Sequence, residues 1–293
     1  MYPPNQFVLD CRGVKLDARP GAPPFGAHIM GILNTTPDSF SDGGQYVTVE
    51  AAVSRTAEML AEGAAIIDIG GESTRPGADP VGEQEEMDRV VPVIEAIHAR
   101  FPEAILSIDT YKSTVARAAM EAGAHIINDV TGLRHDADMA DVAAAFGAPL
   151  ILMHSAGDPG HLTERPDYDD VEANVEHTLR DAIATASAAG VKHVITDPGF
   201  GFGKSLQENF QLINRTNRLL DLGYPVLAGI SRKSAIGKLL GTPDAPVATE
   251  NRLYGSLGAT AVAVFRGATL IRTHDVHPTR DMLHALHTAR TAG

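Results

Sequence analysis

From about residue 27 the chain switches repeatedly between two hydrophobic periods. Short apolar runs recur as HIMGILN, AAIIDIG, AILSIDT, AHIIND, PLILMH, KHVITD, PVLAGIS and ATLIRTHD, eight in all. Each closes on a polar or glycine-rich turn. Between them lie longer segments such as VEAAVSRTAEMLAEG, EEMDRVVPVIEAIHAR, SLQENFQLINRTNRLLDLG and ENRLYGSLGATAVAVFRG, which carry apolar residues at helical spacing and often end in glycine. Strands that are apolar throughout and alternate with helices predict a parallel sheet covered on both faces, and eight such units are the number that closes a barrel. The pattern predicts an α/β fold, a single (β/α)8 TIM barrel over residues 27–293, with an open doubly wound sheet as the other arrangement it allows. Residues 1–26, with PPNQ and RPGAPPFG around the short FVLD run, read as a short irregular N-terminal lead-in.

Composition narrows the function. The net charge of −13, from 24 basic against 37 acidic residues, opposes attraction to phosphate backbones and anionic lipid, so neither nucleic acid nor membrane is an expected partner. An anionic substrate must then be caught by local cations. The one cysteine, Cys11, permits no intrachain disulfide and no thiolate metal site, which fits a reducing cytoplasm. The first residues show neither the charged nor the apolar region of a signal peptide, and no run approaches a membrane span.

In a barrel the site is built where the strands end. Every predicted strand here ends polar: Asn34 and TTPDSFSDGG, GGESTRPGA, Asp109, Asn128 with Asp129, Met153 with His154, Asp197 with PGFGFGK, SRKS, and Arg272-Thr-His274-Asp275. Asp129 and Asp275 are as well read as helix or turn caps. His154 alone reads as a packed or hydrogen-bonded histidine. Arg75, Arg272, His274 and Lys233 oppose the helix dipole where they stand, which points to a bound anion such as phosphate or carboxylate. Asp109, Asn128, Asp197 and Lys233 form a second set, whose mixed acceptors and donors suit a flat heterocycle bearing ring nitrogens and an amino group. A buried ion pair of Lys233 with Asp197 or Asp109 is the alternative. GFGFGK lacks the spacing of a nucleotide loop and reads as a tight turn beside a ligand.

In order, MGILNTTPDSFSDGG, IDIGGESTRPGA, SIDTYKSTVARAAMEAGAHIIND, LMH, DPGFGFGK, GISRKSAIG and IRTHDV give the chain a close resemblance to the dihydropteroate synthases, a pterin-binding barrel family, over residues 27–275. The resemblance implies the transferase reaction of folate biosynthesis: 6-hydroxymethyl-7,8-dihydropterin diphosphate condenses with p-aminobenzoate through a dissociated pterin cation, giving 7,8-dihydropteroate and pyrophosphate. It implies a pterin pocket of Asp109, Asn128, Met153, Asp197 and Lys233. Asn34 would hold Mg²⁺, with Arg272 and His274 on the diphosphate. Phe202, Lys233 and Ser234 would surround p-aminobenzoate, and two closing loops would carry Asp38, Ser39, Phe40 and Thr74, Arg75, Pro76. Asp109, Asp197, Lys233, Arg272 and His274 are the implied catalytic set, and a homodimer is the implied assembly. Thr35 departs from the apolar residue more common at its position. A pterin-dependent methyltransferase, a Schiff-base aldolase using Lys233 and a non-catalytic pterin-binding paralogue are the rival readings.

Overall fold

The computed structural model describes residues 4–22, 24–35, 44–73, 80–157, 161–162 and 164–292. Eight parallel strands form the barrel: β1 (His28–Asn34), β2 (Ile66–Gly70), β3 (Ile105–Asp109), β4 (Ile126–Asp129), β5 (Leu150–Met153), β6 (Val194–Asp197), β7 (Leu227–Ala228) and β8 (Leu270–Thr273). They pair in the order β6-β5-β4-β3-β2-β1-β8-β7. The ring closes through a single parallel bridge, Thr196 to Val226, with Thr196 N donating to Pro225 O at 2.9 Å. The (β/α)8 barrel expected from the periodicity is the fold observed.

The seventh strand is shorter than its apolar run. Thr269 N and Leu270 N both donate to Val226 O, at 2.9 and 3.2 Å, and the β8–β7 ladder pairs only Leu270 with Leu227 and Ile271 with Ala228. Beyond it the chain bends, and Arg232 takes a left-handed φ of 57°.

Alternation along the strands sets the interior. Met30, Ile66, Ile105, Ile126, Ile151, Ile195, Leu227 and Leu270, one from each strand near its N-terminal end, form a single buried layer inside the barrel. The larger core lies outside the sheet, where the opposite faces meet the helices.

The lead-in corrects the sequence reading. Val8–Cys11 and Val14–Asp17 form an antiparallel hairpin, and Leu9, Cys11, Leu16 and Ala18 join the bottom layer of the barrel. His28 Nε2 donates to Asp17 O at 2.7 Å, and Arg12 donates to the carbonyls of Met120 and Ala124. The strands are too short for an alternating signal to stand out between Pro- and Gly-rich flanks. They form because they plug the open N-terminal mouth of the barrel, where unplugged aliphatic side chains would face water.

Candidate active site

The polar residues follow from the same alternation. Two residues beyond the apolar layer, on the same inward face, stand Asp68, Asn128, Met153, Asp197 and Arg272, with Asp109 one step further along β3. Asp68, a residue the sequence reading missed, is fully buried. Arg272 Nε donates to Asp68 Oδ2 at 2.6 Å, and Arg272 Nη2 donates to Asp109 Oδ2 at 2.5 Å. Asn128 Nδ2 donates to the same Asp68 oxygen at 3.3 Å. One carboxylate thus orients both an amide and a guanidinium, while its other oxygen, Oδ1, is buried with no hydrogen-bond partner among the described residues.

Burial pushes the Asp109 carboxyl up to about 7, with Asp68 and Glu86 adding to the rise and Arg272 and Lys233 opposing it. Burial also raises Asp197, against the pull of Lys233. Burial lowers the Arg272 guanidinium, but Asp68 and Asp109 more than offset it, and Arg272 stays charged. The Lys233 ammonium is pushed down to about 8 by burial. Carboxylates this deep gain by accepting from donors that a ligand brings.

Lys233 forms the other wall. Its Nζ donates to Phe200 O and stands 4.2 Å from the centre of the Phe202 ring. Among the described residues, the buried ion pairs of this cavity are therefore Arg272 with Asp68 and Asp109, rather than Lys233 with Asp197 or Asp109. Gly229 lies between Lys233 and Asp197 on one side of the cavity: a Cβ there would make ordinary contacts with Lys233 Nζ at 3.7 Å and Asp197 Oδ2 at 3.8 Å. Phe202 packs with Tyr111, Val130, Met153 and Leu162 into a separate apolar cluster at the mouth. Phe200 turns the other way, into the core, edge-on to Phe210.

Residues assigned to the anion lie at the rim. His274 Nδ1 is 3.0 Å from Ser231 Oγ, and His274 N donates to the same oxygen at 3.2 Å. Arg272, grouped with His274 by the resemblance, lies deeper and serves the carboxylates as well. Ser234 is exposed at the start of helix Ser234–Leu240, and Asn34 is half-buried at the end of β1. Thr35 is buried; its N and Oγ1 donate to Gly70 O at 2.9 and 3.1 Å, extending the β1–β2 pairing by one residue. Asp129 is a turn cap, accepting from Thr131 N and Leu133 N. Asp275 pairs instead with Arg232. His154 is hydrogen-bonded to Asn174 and Lys204. Asp38, Ser39, Phe40, Thr74, Arg75 and Pro76 lie outside the described residues.

The cavity thus offers carboxylates and an amide from β2, β3, β4 and β6, with a guanidinium and an ammonium beside them. Such a set accepts adjacent N–H groups of a planar heterocycle while cations nearby receive negative charge. The profile of the family described as pterin binding enzyme matches residues 30–274. The chain belongs to that family.

Among its members, the dihydropteroate synthase of Haemophilus influenzae is 46% identical over 257 residues, covering 87% of this chain and 91% of that one. The solved dihydropteroate synthase of Xanthomonas albilineans with 4-aminobenzoic acid aligns with a TM-score of 0.87 at 46% identity, covering 98% of this chain and 99% of that one. The same organism's enzyme in complex with 7,8-dihydropteroate aligns at 0.84, with 44% identity and coverage of 97% and 99%. The polar layer described above, from Asp68 to His274, lies within the matched region.

Proposed function

We propose that this protein is a dihydropteroate synthase, a transferase that joins 6-hydroxymethyl-7,8-dihydropterin diphosphate to p-aminobenzoate and releases pyrophosphate. The observation that carries the reading is the polar layer itself. Asp109, Asn128 and Asp197 face one cavity with Lys233 and Arg272, in a barrel that aligns almost end to end with a synthase holding its product.

The chemistry assigned to these residues follows from charge. The C–O bond between the pterin methylene and the diphosphate breaks, and its electron pair leaves with pyrophosphate. The resulting cation, delocalised into the pterin ring, is attacked by the arylamine nitrogen, which then loses a proton. Asp109 and Asp197 face the ring and favour positive charge there. Arg272 and His274 meet the departing diphosphate, and Phe202, Lys233 and Ser234 surround p-aminobenzoate. Mg²⁺ suits the donor set: Asn34 at the strand end supplies an amide oxygen, a hard donor of the kind Mg²⁺ takes in small number beside phosphate oxygens and water. When bound, it would neutralise charge on the diphosphate.

The assembly belongs to the same reading. Tyr254, Val262 and Phe265 on helix Leu253–Phe265 are 84%, 43% and 59% exposed, with Leu239 and Leu240 exposed nearby. A second copy of the chain covering this apolar face would give the homodimer. The reducing cytoplasm is the compartment the reading carries, in keeping with one buried thiol at Cys11. Among the described residues no helix is long and apolar enough to cross a membrane. The experiment is direct: purified protein with both substrates and Mg²⁺, the product identified by mass. Dihydropteroate is expected, and its absence would overturn the reading.

A further inference from the structure

Lys204 ends the glycine-rich stretch GFGFGK and has been given no part in the reaction, although its Nζ reaches the Phe202 carbonyl and its charge acts on Asp197. The loop it closes has little stiffness of its own, because its glycines sit at left-handed φ with no side chain to pack. A Cβ on Gly199 (φ 69°) would lie 1.8 Å from His154 O, and one on Gly201 (φ 85°) would lie 2.8 Å from Lys233 Cδ. The backbone therefore runs closely between His154 and Lys233, and hydrogen bonds must hold it there.

Lys204 provides two of them and a tie to His154, beside the bonds of Gly199 N to Asp197, Gly201 N to Asn209, Phe202 N to Gly199 O and Lys233 to Phe200 O. Lys204 Nζ lies 3.0 Å from Gly199 O, 2.9 Å from Phe202 O and 3.0 Å from His154 Nδ1. As an ammonium it has three donors, which these three acceptors match, although burial pushes it down to about 7 against the pull of Asp197. Burial, reinforced by Lys204, pushes the His154 imidazole down to about 4. It is therefore neutral, with Nδ1 accepting from Lys204 and Nε2–H donating to Asn174 Oδ1 at 3.0 Å. Phe202 is the link to the site: its carbonyl rests on Lys204, while its ring lies under Lys233 Nζ.

We propose that Lys204 is a positioning residue for the p-aminobenzoate end of the site, setting the place of the Phe202 ring and, through it, of Lys233. The inference rests on the synthase reading given above. Of the pterin residues, Asp109 and Asn128 stand on β3 and β4, away from this loop, whereas Asp197 accepts from Gly199 N at 2.7 Å and Lys233 serves both substrates, so the test turns on the p-aminobenzoate end responding more strongly than the pterin end.

Lys204→Met keeps the unbranched stem, one atom shorter, and removes every side-chain donor. In the full-length protein its KM for p-aminobenzoate should rise about tenfold or more while the KM for the dihydropterin diphosphate stays within about twofold. Backbone amide exchange over residues 199–203 should also quicken, which needs no turnover. His154→Leu removes one of the three acceptors and should shift the p-aminobenzoate KM the same way by about threefold. It serves as the second variant should Lys204→Met fail to fold. Equal rises in both KM values, a fall in kcat alone, or unchanged exchange over the loop would overturn the assignment. A wild-type protein that makes no dihydropteroate removes the synthase reading and this inference together. An active wild type with no KM split removes only the inference.

Discussion

Arg272 and Asp109, 163 residues apart in sequence, meet at 2.5 Å inside the barrel, and Asp68 holds the other edge of the same guanidinium at 2.6 Å. Removing one partner from a buried charge network is far more damaging than never having built it, because the remaining charge keeps its desolvation cost. Asp68→Ala should therefore lower unfolding free energy by about 3 kcal/mol and weaken pterin binding through Arg272 and Asn128. Urea titration and isothermal titration with a pterin read the two effects. Unchanged values in both would show that Asp68 orients nothing.

The neutral state of His154 predicts a pH dependence of stability. An unfolded imidazole titrates near 6.5, whereas burial holds the folded one down to about 4. Between those values the unfolded chain takes up a proton that the folded chain refuses, so this contribution is fully present above pH 6.5 and is lost as pH falls towards 4. His154→Gln should flatten the fall in stability between pH 7 and pH 5 by about 1–2 kcal/mol. Parallel profiles for wild type and variant would contradict it.

The hairpin at the barrel floor predicts a mutation that separates folding from function. Leu9 is fully buried against the apolar layer at the end of the barrel opposite the site. Leu9→Ala should cost about 2–4 kcal/mol through the cavity it leaves, with both KM values unchanged. Cys11 lies in the same layer with its thiol pushed up to about 12 by burial, so thiol reagents should label it only on unfolding. Altered substrate KM in Leu9→Ala would mean the floor and the mouth are coupled.

On the exposed helix face, Phe265→Glu places a charge within the surface proposed for a second copy. Light scattering should report a dimer for wild type and half that mass for the variant. A wild-type monomer would remove the assigned assembly.

The barrel was legible because its interior layer is built from large apolar residues, one per strand, and in five strands (Ile66, Ile105, Ile126, Ile195 and Leu270) the next residue on the same face is polar. Asp109, Asn128, Asp197, Lys233 and Arg272 could be read as candidates because they close, or directly follow, the apolar runs of the sequence, and the structure brings them to one cavity. Asp68 was missed because it sits mid-strand in IIDIG, where attention to the ends passes it over. Its signal was still present: a charge two residues beyond an inward-facing isoleucine needs a buried partner, and Arg272 stands at the matching step of β8. The hairpin lacked such a signal, since two strands of four residues show little periodicity. The roles of Lys204 and His154 depend on contacts 50 residues apart, which no local pattern encodes.

The most direct measurement of the central claim follows both products in one reaction. With dihydropterin diphosphate, p-aminobenzoate and Mg²⁺, pyrophosphate and 7,8-dihydropteroate should appear in equal amounts, and Asp197→Ala should abolish both. Pterin binding with no release of pyrophosphate would mean that the pocket is present without the reaction, and would contradict the synthase reading.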